Sequence, residues 1–189
     1  VGRENLYSYF KNFGLGSKTG VELEGEDGGI LRDVEEWTDI DLATAAFGQG
    51  LSATPLQVLN AFNVIANGGY LLEPRIIDRI IDNGEVIEIP TKNIRKVISK
   101  ETSATMVDLL ERAAEGGEAK YFVIKNYKIA GKTGTAQIPE GGSYSPDRTN
   151  ATFVGFLSGT KTVSMIVKLE EPHASVYAAE TSVPLWTNI

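Results

Sequence analysis

The chain has 189 residues, a net charge of −7, a pI near 4.8 and no cysteine. That length suits one domain with a real core. The acidic balance speaks against a nucleic-acid surface or an anionic membrane patch, and the lack of cysteine removes disulfides, thiolate nucleophiles and cysteine-built zinc sites. With His173 as the single histidine, a Ser-His-Asp triad would hang on that residue alone. No apolar run approaches the roughly 18 residues of a transmembrane helix. The chain opens on Val1 without Met and reads as a piece of something longer.

In chain order, residues 3–13 place Leu6, Tyr9, Phe10 and Phe13 at helical spacing, with Gly14 as the stop. Residues 14–36 are Gly-rich and acidic and read as loop with short strand. A helix over about 39–47 leads to Gly48-Gln49-Gly50. Thr54-Pro55-Leu56-Gln57 then reads as a helix start: Thr54 caps, Pro55 loses nothing in the first turn, and Gln57 reaches back. That helix ends at Asn67-Gly68-Gly69. Residues 75–89 form a hairpin through Asn83-Gly84, and a helix covers about 99–115. The last third is strand-like, over 121–137, 150–157 and 162–170, with Gly159-Thr160-Lys161 joining the last two. Helices first and antiparallel strands last predict an α+β fold, an antiparallel sheet with helices.

One short word occurs twice: GSKTG at 16–20 and GKTG at 131–134. A given Lys-Thr-Gly arises by chance in about one chain in twenty of this length, so context must decide between the copies. A phosphate loop would need Gly where Asn126 stands, and a helix after the Lys-Thr. Gly134-Thr135-Ala136-Gln137-Ile138-Pro139 starts no helix, so nucleotide binding is rejected. Two readings of the second copy remain. Lys132 is a solvated charge protecting a sheet edge. Or it presents an ammonium to a substrate carboxylate, with Thr hydroxyls adding hydrogen bonds and Gly letting substrate reach the backbone. An N–H of such an edge also suits an oxyanion hole.

Longer blocks choose the second reading. IAGKTGTAQ, NATFVGFLSG, SMIVKLEEP, FGLGSKTGVELEGE and FGQGLSATPLQVLNAFNVIANGGYLLEPRI together span nearly the whole chain. Their order and spacing resemble the C-terminal part of the class B penicillin-binding transpeptidases. The final VPLWTNI resembles the start of that family's last helix. The resemblance implies a partial β-lactamase/transpeptidase-like fold, with residues 1–189 the C-terminal part of one transpeptidase domain. It implies an extracytoplasmic location, in a parent anchored to the bacterial membrane by a segment not in this chain. Partners would be peptidoglycan stem peptides, β-lactams and the missing N-terminal half of the domain. No cofactor, metal or nucleic acid is expected.

Position by position, the resemblance assigns Lys132 and Thr135 to catalysis, and Lys132, Thr133, Gly134, Thr135 and Gln137 to substrate binding. Lys18 would be incidental, and Thr19-Gly20 a turn. The family also needs Ser-x-x-Lys and Ser-x-Asn. The first occurs as Ser8…Lys11, in the wrong place, and as Ser158…Lys161, in a turn where the side chains cannot stack; both are decoys. The second does not occur. His173 has no role in the pattern, and Glu22, Glu24, Glu26 and Asp27 do not follow calcium-loop order, which leaves a solvated loop. The expected function is part of a peptidoglycan D,D-transpeptidase that works through an acyl-serine. The alternatives are a β-lactam sensor or hydrolase of the same superfamily, or a non-catalytic binding module.

Overall fold

In the computed structural model, which describes residues 1–117 and 127–189, the chain divides into two compact units. One comprises Val1–Val64 and Gly69–Ser99; the other comprises Ile65–Gly68 and Lys100–Ile189. The first third of the expected strand over 121–137 lies outside the described residues.

The first unit is built around two side chains, Trp37 and Gln57. Helix α1 (Arg3–Asn12) turns Tyr7 and Phe10 onto Trp37, with ring centroids 5.9 and 6.3 Å away. Tyr9, expected on the apolar face, is exposed instead. The indole N–H of Trp37 donates to the Arg32 carbonyl at 3.1 Å, so the buried ring leaves no donor unmet. Helix α2 (Asp39–Ala45) starts with a reciprocal capping box. The Asp41 N–H donates to the Thr38 hydroxyl at 3.3 Å, and the Thr38 N–H donates to Asp41 Oδ2 at 2.8 Å. Arg32 pairs with the other carboxylate oxygen.

Helix α3 (Pro55–Ala66) opens as the sequence predicts: the Thr54 N–H donates to Gln57 Oε1 at 2.8 Å and the Gln57 N–H to Thr54 Oγ1 at 3.2 Å. Gln57 does more than cap. It is 1% exposed, and its Nε2 donates to the carbonyls of Ser17 and Gly28, both at 2.7 Å, tying the loop over 14–29 to the helix. Gly29, at φ +67°, lies so close that a Cβ there would stand 2.4 Å from the Ser52 carbonyl oxygen.

Two small sheets complete this unit. Strand β1 (Tyr70–Leu72) pairs antiparallel with β4 (Asn93–Lys96), a pairing with no local signal in the sequence, since each strand is short and the register shifts between Leu71 and Leu72. Strands β2 (Arg79–Asp82) and β3 (Glu85–Glu88) form the expected hairpin, with Asn83 and Gly84 at φ +50° and +88°. The short strand expected within 14–36 is not formed; Ile30 makes a single bridge to Ser52 and Val34–Glu36 form a 3-10 turn.

The second unit is a sheet with helices. Helix α4 (Lys100–Gly116) packs on strand β5 (Ile129–Glu140), which pairs antiparallel with β6 (Ser143–Leu157), and β6 pairs with β7 (Ser164–Glu170). The three-stranded order is β5-β6-β7. Strands β5 and β6 run further than the sequence suggests, because Gly141 and Gly142 (φ +60° and +86°) close a tight turn that both must take left-handed. The proline-bearing residues around it read as loop, yet pair as ladder beyond a register shift between Gln137 and Pro139.

Side chains alternate across this sheet. One face carries Ile129, Phe153 and Val167, which form a core with Val183 and Trp186 of helix α5 (Ser182–Asn188). Phe153 and Trp186 meet edge to face at 5.2 Å, and the Trp186 N–H donates to the Met165 carbonyl at 2.9 Å. Ala130, Val154 and Phe156, alternating to the other face, are equally buried. Gly131 is the tight point. A Cβ there would stand 2.7 Å from Cζ of Phe153 and 3.1 Å from the Val154 carbonyl oxygen.

Two tests follow from this packing. Gly131→Ala should destabilise the second unit by about 1–3 kcal/mol, the cost of overpacking a core, read as a lower denaturation midpoint; an unchanged midpoint would show that Phe153 yields freely. The second concerns acid. The hydroxyl and N–H of Thr38, helped by Arg32, lower the Asp41 carboxyl from an ordinary 3.8 to about 2. A carboxyl depressed in the folded state adds stability above its ordinary pKa, and that stability is lost as pH falls toward the folded value. Unfolding of the first unit should therefore become easier between about pH 4 and 2, and Asp41→Asn should flatten that slope in denaturant titrations at stepped pH.

Candidate active site

Strand β5 changes character along its length. Ile129, Ala130 and Gly131 are buried, whereas Lys132 to Gln137 are exposed or half-exposed. The first part anchors the strand in the core and the second offers it to solvent. Among the described residues β5 is the end strand of its sheet, paired on one side with β6. The expected residues Lys132, Thr133, Gly134, Thr135 and Gln137 therefore lie together on one exposed strand, opposite Val154, Phe153, Thr152, Ala151 and Thr149.

The Lys132 ammonium folds along its own strand, donating to the Thr133 carbonyl at 3.1 Å and the Thr133 hydroxyl at 3.3 Å. Among the described residues no carboxylate pairs with it. An uncompensated cation resting on neutral oxygens is well placed to accept an anion. Thr135 accepts the Ala178 N–H on its hydroxyl at 3.3 Å. A hydroxyl has one proton and two lone pairs, so this contact leaves the proton free to donate. Gly134 differs from Gly131: a Cβ there would meet nothing nearer than Thr152 Cβ at 3.8 Å. Packing requires Gly131 and leaves Gly134 unconstrained.

The far end of the β5–β6 hairpin is clamped. Arg148 donates to both oxygens of Glu171, Nε to Oε2 at 2.8 Å and Nη2 to Oε1 at 2.7 Å, and Nη1 lies 3.3 Å from Glu140 Oε1. The Arg148 hydrogen bonds hold the Glu171 carboxyl below the usual glutamate range; partial burial opposes this, and the charges of Arg148 and His173 add to it. Sequence reading missed this clamp, because its partners are 23 residues apart and share no local motif. His173 itself is exposed.

The first Lys-Thr-Gly copy is occupied from within. The Thr19 N–H and hydroxyl donate to Glu26 Oε1 at 2.7 and 2.6 Å, and the Gly20 N–H donates to Glu26 Oε2 at 3.1 Å. Burial raises the Glu26 pKa, but these bonds and the Lys18 charge outweigh it and hold the carboxyl below its ordinary value. One expectation changes here: the acidic run is not simply solvated, since Glu26 is half-buried in the loop and Glu22 accepts the Ile76 N–H at 2.8 Å. Among the described residues no group of three or more His, Asp or Glu is placed to hold a metal.

Neither serine decoy resembles a nucleophile. Ser8 is exposed on α1, where its hydroxyl accepts from Asn12 Nδ2 at 3.5 Å. Ser158 is buried, donates to the Lys128 carbonyl at 3.1 Å, and sits in a turn where Lys161 takes φ +55°. No helix among the described residues is long and apolar enough to cross a membrane.

Comparison with known proteins identifies the family. Residues 1–189 match the family described as the penicillin binding protein transpeptidase domain. The chain is 34% identical to stage V sporulation protein D of Bacillus subtilis, over 100% of this chain and 30% of that protein. It is 30% identical to the peptidoglycan D,D-transpeptidase FtsI of Escherichia coli, over 96% of this chain and 30% of that one. Among solved structures, apo penicillin binding protein 3 of Mycobacterium tuberculosis superposes with a TM-score of 0.89 at 32% identity, covering 100% of this chain and 45% of that one. The same protein in complex with ampicillin gives a TM-score of 0.88 at 32% identity, covering 100% of this chain and 44% of that one. The chain thus spans less than a third of the curated relatives' length, and it belongs to the penicillin-binding protein transpeptidase family.

Proposed function

We propose that this chain supplies the carboxylate-binding strand of a peptidoglycan D,D-transpeptidase, and that the nucleophilic serine lies in the remainder of the protein. Gly134 carries the reading. Its backbone is not left-handed and its surroundings leave room for a side chain, so the fold has no need of glycine there. A substrate lying against β5 does need it.

In this reading the stem peptide's terminal carboxylate sits against the hydroxyls of Thr133 and Thr135, under the Lys132 ammonium. The serine hydroxyl attacks the penultimate D-Ala carbonyl, and its proton passes to the polar network that Lys132 tunes. The Thr135 N–H steadies the oxyanion. The C–N bond breaks, D-Ala leaves as the amine, and the amine of a neighbouring stem peptide then takes the acyl group and returns the serine. A β-lactam offers the same carboxylate beside a strained amide and stops at the acyl-serine. Gln137, two residues beyond Thr135, contacts the body of the substrate.

Further support comes from the relatives, which are about three times as long as this chain and named for peptidoglycan D,D-transpeptidation. Their role in building the wall points to the extracytoplasmic face of the membrane. The rest of the same domain is the proposed partner of this chain. β7 pairs only with β6 among the described residues, and Val163 and Tyr127 nearby are exposed, which leaves an edge and an apolar patch for it.

The test uses the full-length protein that carries this chain, with acylation by a reporter penicillin followed in time. Lys132→Ala should slow acylation by about 10²-fold or more, comparable to losing an electrostatic contact at the reacting centre, whereas Lys18→Ala should change it little. Equal effects would mean that the two copies had been told apart wrongly. A second variant separates function from fold. Gly134→Ala should leave the melting temperature unchanged and still slow acylation by about 10- to 100-fold through misplaced substrate. Wild-type acylation in that variant would remove the main support for the reading.

A further inference from the structure

The second unit contains a connection that reaches Thr135 from the opposite end of the hairpin. The loop after β7 is fastened at each end. At its start, Glu171 takes the left-handed conformation at φ +47°, uncommon for a residue with a side chain, and its N–H donates to the Thr149 carbonyl at 3.0 Å. The bidentate grip of Arg148 on Glu171 holds it there. Further along, the buried Thr149 hydroxyl donates to the Val176 carbonyl at 2.6 Å. Two residues later the buried Ala178 delivers its N–H to the Thr135 hydroxyl.

We propose that Arg148 and Glu171 are positioning residues for the substrate carboxylate, acting through the loop over 171–178 on the Thr135 hydroxyl. The Ala178 N–H occupies one lone pair of that hydroxyl and so turns its proton outward as a donor. The loop has to be held for this N–H to stay in place, and the Arg148–Glu171 pair is the charged fastening at its root. Neither residue touches substrate. An exposed ion pair contributes little to global stability, so a bidentate grip placed here matters mainly for local geometry. This inference rests on the carboxylate site proposed above and adds what aims it.

A double-mutant cycle in the full-length protein tests it, with penicillin acylation rates and apparent affinities measured separately. The reporter penicillin is compared with its carboxyl methyl ester. Arg148→Ala should slow acylation by the free acid about tenfold, the order of one lost hydrogen bond to a charged group. It should have less than about a twofold effect on the ester, or on the acid in a Thr135→Val background. Arg148→Lys, which keeps charge and loses the fork, should be intermediate. Equal slowing by Arg148→Ala with acid and ester, or with and without the Thr135 hydroxyl, overturns the proposal. If Arg148→Ala does not fold, Glu171→Gln enters the same cycle with the same expectations. If Thr135→Val and Lys132→Ala both leave acylation unchanged, the carboxylate site itself fails. If they slow it while Arg148→Ala and Glu171→Gln do not, only the positioning role fails.

Discussion

The packing of Phe153 against Gly131 is the constraint on which the site depends. A strand can show a lysine, two threonines and a bare backbone to solvent only if it is held firmly elsewhere, and β5 is held by its first three residues. Gly131 lets the Phe153 ring reach the backbone, and that ring in turn meets Trp186 edge to face. Burying an aromatic pair of this size contributes a few kcal/mol, enough to fix the strand's height and tilt. The polar residues from Lys132 onward then inherit their positions from an apolar contact. This division of labour explains why glycine occurs twice within four residues for two different reasons: one makes room for the protein's own ring, and the other leaves room outside.

The two Lys-Thr-Gly copies show how much the surroundings decide. Both present a threonine hydroxyl, backbone N–H groups and a lysine, and this chemistry suits a carboxylate in either place. At 18–20 the carboxylate is supplied in cis by Glu26, only six or seven residues away. The site is satisfied and becomes a loop fastening. At 132–135 no carboxylate of the described residues answers, and the cation rests on neutral oxygens of its own strand. The same word means closure in one setting and readiness in the other.

Much of this was legible in the sequence because it is local. Capping at Thr54–Gln57, the Asn83-Gly84 turn and the helix over 100–116 follow from residues within a few positions of one another. The family blocks likewise located the exposed half of β5. What escaped is non-local or runs against propensity. Gln57 reads as a cap, yet its amide binds carbonyls 40 and 29 residues earlier in the chain. The β5–β6 ladder continues through a stretch rich in proline, glycine and serine, because a two-glycine turn fixes its register from the tip. Arg148 and Glu171 look like ordinary surface charges until the hairpin brings them together. On α1 one residue of the expected apolar face differs, since Trp37, not α1's own periodicity, selects Tyr7 over Tyr9.

The central claim is that the second copy, and not the first, receives the substrate's carboxylate. A crystal structure of the full-length protein acylated by ampicillin would test it most directly. The account predicts the drug's carboxylate within hydrogen-bond distance of the Thr133 and Thr135 hydroxyls, its acyl oxygen on the Thr135 N–H, and Glu26 still seated on Thr19 and Gly20. A carboxylate found away from β5, or bound at Thr19 with Glu26 displaced, would contradict it.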